Sequence, residues 1–256
     1  MNSRSSLILV LCLAAFTFSL RAQDAAAASP GISLFNKGDF AGAVAALKGT
    51  KNYIELTFLG IAYEKLGKEK DAGKAFDESF ERGFWLMSDL LMQKPSIVDN
   101  KEPAPKGTAE ARLKLLQQPI VFALATADKI RALKTDYSKK TDFKMTVGFL
   151  EGLDTLLKNG ETIYSDADLS SKMKLTNLPS PSYSMAARQN RLEGNVTLLA
   201  LLRADGTKVY APLQSLDSEL MESVYSAARD TRFQPATKDG HPVAVLAAIK
   251  YAFLRN

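Results

Sequence analysis

The sequence predicts an α+β protein, in which an all-helical region precedes a small three-stranded antiparallel sheet with one packed helix. Three observations lead to this prediction. Apolar residues recur at helical spacing from residue 30 to about residue 174. Strict alternation of apolar and other residues replaces that spacing at 196–202 and 209–213. A largely apolar run at 242–254 then follows near the end of the sequence.

The composition argues for a binding protein and not an enzyme. The 256 residues hold one cysteine, Cys12, and one histidine, His241, with a net charge of +5. Most metal sites and most pairs of a nucleophile with a base need more of these residues, so no catalytic residue, metal site, cofactor or small-molecule substrate is predicted. No cluster of Lys and Arg is interleaved with aromatic residues, so nucleic acid is not a predicted partner either.

Residues 1–22 have the pattern of a secretory signal peptide. Arg4 supplies the positive start, residues 7–20 form an apolar or hydroxyl-bearing run, and Ala22 precedes a plausible cleavage point. The sequence therefore predicts an exported protein whose mature chain begins at Gln23. The alternative is an uncleaved membrane anchor, although a spanning helix needs about 20 apolar residues.

Two short helical hairpins are predicted at the start of the helical domain, which is expected to span residues 30–174. The first turns at 36–39 and the second at Gly67. The second hairpin carries an ordered set of residues: Leu56, Leu59, Gly60, Tyr63, Gly67, Ala72 and Phe76. Their spacing resembles a degenerate tetratricopeptide repeat, and a plain helical hairpin is the alternative.

Later helices of this region are placed by their capping residues. Thr108 is predicted to cap one helix, which Pro119 should kink or restart. Asp142 is predicted to cap another helix, and Gly160 is placed to end it.

The C-terminal region predicts the order strand, strand, helix, strand. A turn at 204–207 joins the two alternating strands as a hairpin, and Pro212 marks the second of them as an edge strand or as near its end. Ser215 or Asp217 can cap the helix that follows. The apolar run at 242–254 supplies the last strand.

Six ordered blocks of residues lie in this region. They are Tyr183 with Ala187-Arg188, Leu192-Glu193-Gly194-Asn195-Val196, Asp205-Gly206-Thr207, Leu220 with Ala227-Ala228, Arg232-Phe233-Gln234-Pro235-Ala236, and Asp239-Gly240-His241-Pro242-Val243. Together they resemble the C-terminal domain of the TonB family, over about residues 181–253. The resemblance implies a TonB C-terminal-like domain at 175–256.

Some residues of these blocks have evident structural roles. The fold-defining positions are Tyr183, Gly194, Gly206, Phe233, Pro235 and Gly240. The glycines permit tight backbone, and Phe233 can fold under the sheet before Pro235 redirects the chain. Two positions depart from the family pattern: Ser184 replaces a usual Pro and Thr231 replaces a usual Trp.

The resemblance implies that the last strand binds a partner by strand pairing, since TonB-like proteins pair this strand with a short receptor segment. The partner implied is an outer-membrane TonB-dependent receptor or another envelope protein, and a second copy of this chain is the alternative. The residues expected to carry the pairing are Val243, Val245, Ala247, Ile249, Tyr251 and Phe253.

A full energy transducer of this family resembles an anchored helix carrying a histidine, followed by a long proline-rich spacer. Here no histidine precedes His241, and the chain has only 10 prolines. We therefore expect a periplasmic binding protein. The alternative is an energy transducer for TonB-dependent transport, anchored in the inner membrane by an uncleaved N-terminal helix and facing the periplasm.

Overall fold

The computed structural model describes residues 29–92, 109–164, 168–190 and 192–253. The described residues divide into two compact units. The first contains the residues up to Met87 together with Val121–Thr135, and the second contains the others. The predicted signal peptide and the Thr108 cap lie outside the described residues.

The first unit is helical, as predicted. Its helices are α1 (Pro30–Asn36), α2 (Phe40–Leu47), α3 (Tyr53–Lys65), most of α4 (Glu69–Leu91) and the second part of α5 (Ala109–Leu133). Helix α3 begins where the Asn52 side chain accepts hydrogen bonds from the backbone N–H groups of Ile54 and Glu55. The turn after α3 uses Gly67 at a φ of +72°, a conformation that favours glycine.

A close approach of helices α3 and α4 explains the glycine at position 60. A Cβ atom at Gly60 would lie 2.6 Å from Cε1 of Phe76, whose side chain is fully buried. The helical hairpin predicted from the ordered residues of this region is therefore present. That this hairpin is a tetratricopeptide repeat stays a prediction.

Helix α5 contains the proline that was predicted to kink or restart it. It runs from Ala109 to Leu133 with Pro119 inside it, so the proline does not end the helix. In the first unit, Lys129 of α5 forms an ion pair with Glu64 of α3 at 2.6 Å. The buried Thr126 hydroxyl lies 3.4 Å from that of Thr57. Contacts of this kind stabilise a helix beyond its local sequence preferences.

The second unit contains helix α6 and the sheet. Its elements are α6 (Thr141–Lys158), β1 (Ile163–Tyr164), β2 (Lys174–Asn177), α7 (Met185–Gln189), β3 (Gly194–Leu202), β4 (Lys208–Gln214), α8 (Ser218–Asp230), β5 (Arg232–Gln234), β6 (Ala236–Lys238) and β7 (His241–Phe253). The main sheet has the order β1-β7-β3-β4, with β6 also paired to β7, and β2 pairs with β5 separately.

The α+β prediction is confirmed, and β3, β4, α8 and β7 match the four predicted C-terminal elements. Asp217 is the cap of α8, because its carboxylate accepts a hydrogen bond from Glu219 N–H at 2.9 Å. Four short strands and α7 were not predicted. Helix α6 starts at Thr141 after Lys140, so Asp142 lies in its first turn and is not its cap.

Helices pack on both faces of the sheet, not on one as predicted. Apolar residues of α8, among them Leu220 and Val224, share a buried cluster with Val196, Leu198 and Ala200 of β3. On the opposite face, α6 packs against β4 and β3. Helix α6 thus belongs to the compact unit that contains the sheet, whereas the sequence placed it in a helical domain ending at residue 174.

Two glycines of α6 provide a test of this packing. A Cβ atom at Gly152 would lie 2.7 Å from Cγ2 of Val209, whereas a Cβ atom at Gly148 would have no neighbour within 4 Å. We expect Gly152→Ala to lower the free energy of unfolding by about 1–2 kcal/mol through overpacking. Gly148→Ala should raise it by about 0.5–1 kcal/mol because alanine favours a helix. Urea unfolding followed by circular dichroism measures both, and equal effects would contradict the packing of α6 on the sheet.

Candidate functional site

Strand β7 is the longest strand of the second unit, and its pairing defines the candidate site. It runs antiparallel to β3, in a register from Gly194 opposite Phe253 to Leu202 opposite Val245. Near its start it also pairs with β6, from Ala236 opposite Val243 to Lys238 opposite His241. Asp239 and Gly240 join β6 to β7 with φ values of 51° and 80°, as a two-residue hairpin turn requires.

The turn between β3 and β4 shows which residues of β3 point their backbone N–H and C=O groups toward β4. Arg203 N–H donates to Thr207 O at 2.9 Å, so this pair is hydrogen-bonded. Because hydrogen-bonded and non-hydrogen-bonded pairs alternate along an antiparallel ladder, odd-numbered residues of β3 point their backbone groups toward β4. Even-numbered residues of β3 then point theirs toward β7.

Two consequences for β7 follow from its register with β3. Even-numbered residues of β3 lie opposite odd-numbered residues of β7, for example Ala200 opposite Ala247. Odd-numbered residues of β7 therefore direct N–H and C=O toward β3. The pairing with β6 supports this alternation. The N–H and C=O of Thr237 bond to Ser171, so the backbone groups of Ala236 and Lys238 are the ones that face β7.

The six residues predicted to bind the partner all face the core of the domain. Val245, Ile249, Tyr251 and Phe253 are buried members of the cluster under α8, and Val243 and Ala247 pack against it. The backbone groups of these odd-numbered residues are also used within the sheet. Strand pairing through β7 stays a prediction. The residues of β7 whose backbone groups point away from β3 are the even-numbered ones, which are not among the six predicted residues.

The opposite edge of β7 is open over residues 246–253, since no other strand of the described chain pairs there. The residues whose backbone groups point to this edge are Leu246, Ala248, Lys250 and Ala252. Leu246 is half-buried and the other three are exposed. We call residues 246–253 the open edge.

Strand β1 sets the start of the open edge. It pairs with β7 in parallel, Ile163 opposite Ala244 and Tyr164 opposite Val245. The Lys238 ammonium lies 4.6 Å from the centre of the Tyr164 ring, a cation–π contact. These contacts fix β1 beside β7, so a partner strand can begin only after Val245.

The other edge of the sheet, on β4, is interrupted by a proline. Pro212 lies opposite Leu198. Since even-numbered residues of β4 face away from β3, the position of Pro212 is one where an added strand would need an N–H donor. Proline supplies none, and such residues protect edges from pairing. Of the two long edges among the described strands, that of β7 carries no such proline and is the better site for an added strand.

Side chains at the C-terminal end of β7 hold the strand on the core. The Tyr183 ring packs edge-on against Phe253 with 5.7 Å between ring centres, and its hydroxyl donates to Leu192 O. Thr231, which replaces the usual Trp, is fully buried. Its hydroxyl lies 3.4 Å from that of Tyr251.

The other fold-defining residues also have clear positions. Gly194 has a φ of 149°, and a Cβ atom there would lie 2.6 Å from Leu216 Cδ2. Gly206 has a φ of 83° in the β3–β4 turn. Phe233 of β5 lies opposite Leu175 of β2 and packs against the core cluster. Pro235 lies between β5 and β6, where the chain passes from one sheet to the other.

Two buried tyrosines make the domain sensitive to alkaline pH. Burial raises the pKa of both Tyr210 and Tyr251 above the ordinary value. Since an unfolded tyrosine ionises near pH 10, the folded state holds these protons more tightly. The free energy of unfolding should therefore fall as pH rises above about 10. As pH rises, the tyrosinate absorbance of these two residues should appear at the same pH at which the circular dichroism signal of the fold is lost. Ionisation of every tyrosine in a chain that is still folded would contradict the expectation.

The described residues show no group of three or more His, Cys, Asp or Glu side chains that could hold a metal ion. Among the helices of the described ranges, none combines the length and hydropathy needed to cross a membrane.

Comparison with known protein families gives a match in the C-terminal region. The family model "Gram-negative bacterial TonB protein C-terminal" matches residues 179–254. A solved structure, the solution NMR structure of the TonB C-terminal domain of Pseudomonas aeruginosa, is 26% identical in sequence. It covers 36% of this chain and 91% of its own chain, with a TM-score of 0.29. No curated protein matches the chain.

The residues of the family match contain strands β3 to β7, helix α8 and the open edge, whereas β1 and β2 precede the match. The predicted resemblance is thus confirmed over the C-terminal region, and the N-terminal helices lie outside the match. Residues 179–254 are thus similar to the C-terminal domain of Gram-negative bacterial TonB proteins, and the family match is confined to this region.

Proposed function

We propose that this protein acts in TonB-dependent transport as a binding protein that pairs the open edge with an extended segment of a partner. The partner is an outer-membrane TonB-dependent receptor or another envelope protein. The observation that carries this proposal is the open edge itself: residues 246–253 pair with β3 on one side, and no other described strand pairs with them on the other side. The other long edge of the sheet holds Pro212. The match of residues 179–254 to the TonB C-terminal family supports the class of partner.

The energetics of strand addition suit this edge. Ala248, Lys250 and Ala252 each present an N–H and a C=O group, and each hydrogen bond to a partner contributes about 0.5–1.5 kcal/mol net. Strand β7 is already fixed by its register with β3, so only the partner segment loses conformational freedom on binding. In this mode of recognition the main chain supplies affinity, and alternate side chains supply specificity.

Site-specific cross-linking in cells tests the proposal. A photoreactive amino acid at Ala248 should form cross-links to a periplasmic segment of a TonB-dependent receptor, identified by mass spectrometry of the linked peptide. The same amino acid at Ser226, which is exposed on α8, serves as the control. Cross-links from Ser226 alone, or from Ala248 only to a second copy of this chain, would refute pairing with a receptor.

We further propose that the protein is exported to the periplasm after cleavage of residues 1–22. The alternative, an energy transducer anchored in the inner membrane, requires that these residues stay attached. Mass spectrometry of the protein isolated from cells distinguishes the two, because cleavage after Ala22 gives a chain that starts at Gln23. An intact N-terminus in the membrane fraction would contradict export of a soluble chain.

A further inference from the structure

We propose that the solvent face of strands β2 and β5 is a second docking surface, which binds an acidic protein segment whose two carboxylates lie about 7 Å apart. We call residues 174–177 and 232–234 the basic ribbon. The inference does not depend on strand pairing at the open edge, because it concerns the side chains of a different pair of strands. Strand β2 precedes the family match, so that match does not describe this face.

The basic ribbon has one face toward the core and one toward solvent. Leu175 and Phe233 lie opposite each other and pack against the core cluster. Lys174 and Gln234 form the neighbouring pair, and both are exposed. Arg232 alternates with Phe233 in the same way and is exposed as well. The solvent face therefore carries a lysine and an arginine on two strands that the core holds in place.

The residues of the basic ribbon include no carboxylate. Within the described ranges neither Lys174 nor Arg232 forms an ion pair, whereas Arg203 of the same unit pairs with Glu161 at 2.7 Å. The carboxylate nearest in sequence belongs to Asp230 at the end of α8, and it forms no ion pair with Arg232. Carboxylates of a partner can thus reach both cations without breaking an existing ion pair.

The spacing of the two cations determines which segment fits. Lys174 and Arg232 are diagonal neighbours across the two strands, so their Cα atoms lie about 7–8 Å apart. Alternate residues of an extended segment have nearly the same spacing, about 7 Å, and point their side chains the same way. Carboxylates at two such positions can meet both cations at once, and the guanidinium can hold its carboxylate by two hydrogen bonds.

The composition of the basic ribbon favours a protein segment over an anionic membrane. Its apolar residues, Leu175 and Phe233, pack against the core, so the solvent face has no apolar side chain to enter a bilayer. Surfaces that bind anionic lipids by charge use clusters of about four to eight Lys and Arg residues. Two cations at a fixed spacing match a pair of carboxylates better than they match a lipid surface.

The basic ribbon and the open edge can be occupied together. Strand β6 pairs with the odd-numbered residues of β7, on the edge that also faces β3. Strand β2 pairs with β5, and Ser171 just before it bonds to Thr237 of β6 on the side away from β7. The ribbon thus lies on the side of β7 opposite the open edge. A partner bound to the ribbon leaves the open edge free for another.

Two acidic peptides of equal charge provide the probe. Both consist of Ser with two Glu residues, which are separated by one Ser in the first peptide and adjacent in the second. A third peptide has Gln in place of both Glu residues. Binding to the full isotope-labelled chain is measured by NMR, through the amide signals of Lys174, Thr176 and Arg232. Sedimentation with vesicles of phosphatidylglycerol and phosphatidylcholine in equal parts tests the membrane.

We expect the peptide with alternate Glu residues to bind about two- to fivefold more tightly than the peptide with adjacent ones, as one exposed ion pair allows. The Gln peptide should not shift the signals, and high salt should weaken binding of both Glu peptides. Lys174→Gln combined with Arg232→Gln should weaken binding of the first peptide by about three- to twentyfold.

A matched control removes the same charge elsewhere. Lys70 and Lys74 are exposed and lie about one turn apart on α4. Lys70→Gln combined with Lys74→Gln should leave binding at the basic ribbon unchanged. Circular dichroism of both double variants checks that each keeps the native fold.

The remaining outcomes overturn the inference. Equal binding of the two Glu peptides, or equal loss of binding in the two double variants, would show attraction by overall charge alone. Sedimentation with the vesicles in the absence of peptide binding would assign the ribbon to a membrane. No shift of the ribbon signals with any peptide would refute the docking surface, whereas cross-linking from Ala248 would still report on the open edge.

Discussion

Ala248→Pro is expected to abolish binding of the partner segment, with a loss of affinity of at least about tenfold, while the protein stays folded. The N–H of Ala248 points to the open edge and not to β3, so proline removes a donor that only the partner would use. The proline ring would also occupy the space of the added strand. Edge positions of this kind tolerate proline in folded proteins.

Two measurements check this expectation. The free energy of unfolding of Ala248→Pro should stay within about 0.5 kcal/mol of the native value, as for a surface change. Cross-linking from Ala252 to the receptor segment should disappear in the same variant. Unchanged cross-linking would show that the partner does not pair with this edge.

Ile249→Pro, one residue further along, should unfold the C-terminal domain. The N–H of Ile249 points to Leu198 of β3, and its side chain is buried in the core cluster. Proline in the middle of a sheet loses this hydrogen bond, and the cavity left by isoleucine adds to the cost. We expect a loss of at least about 3 kcal/mol in the free energy of unfolding.

Circular dichroism during urea unfolding measures this loss against the matched Ala248→Pro variant. The two substitutions differ by one position in the same strand, so they test the alternation of backbone directions directly. Equal stability of the two variants, or a less stable Ala248→Pro, would contradict the assignment of the open edge.

The sequence predicted the long elements of the sheet well because their alternation is strong. Strands β3, β4 and β7 match the predicted runs, and the Asp217 cap places α8. Strands β1, β5 and β6 have two or three residues each, which is too short for a period of two to be recognised. Their existence depends on pairing with distant residues, as Ile163 does with Ala244.

The residues of the open edge could not be predicted from the sequence, for a different reason. The alternation in β7 correctly identifies the residues that share one face of the strand. The apolar residues of that face, such as Ile249 and Tyr251, are buried in the core and do not point to a partner. Which residues offer backbone groups to a partner depends on the register with β3 and on the side from which β1 approaches. Both are long-range properties, so the small and charged residues Ala248 and Lys250 gave no signal as a binding edge.

The packing of α6 against the sheet also could not be predicted from the local sequence pattern. Its apolar stripe predicts a buried helix face, but the stripe does not reveal whether a helix or a sheet covers it. The only local sign was Gly152, a small residue in a helix that permits close approach of Val209. Pro119 is a similar case, because the local pattern left open whether the proline kinks or restarts the helix, and helix α5 continues through it.

Pro212 has a consequence for the behaviour of the protein at high concentration. A sheet with two competent edges can add copies of itself head to tail and grow into a fibre. Because this proline weakens β4 as a pairing edge, antiparallel association of two copies through β7 would give a two-fold dimer whose remaining edges are poor sites for a third copy. We therefore expect the open edge of β7 to favour a single added strand over growth of a fibre.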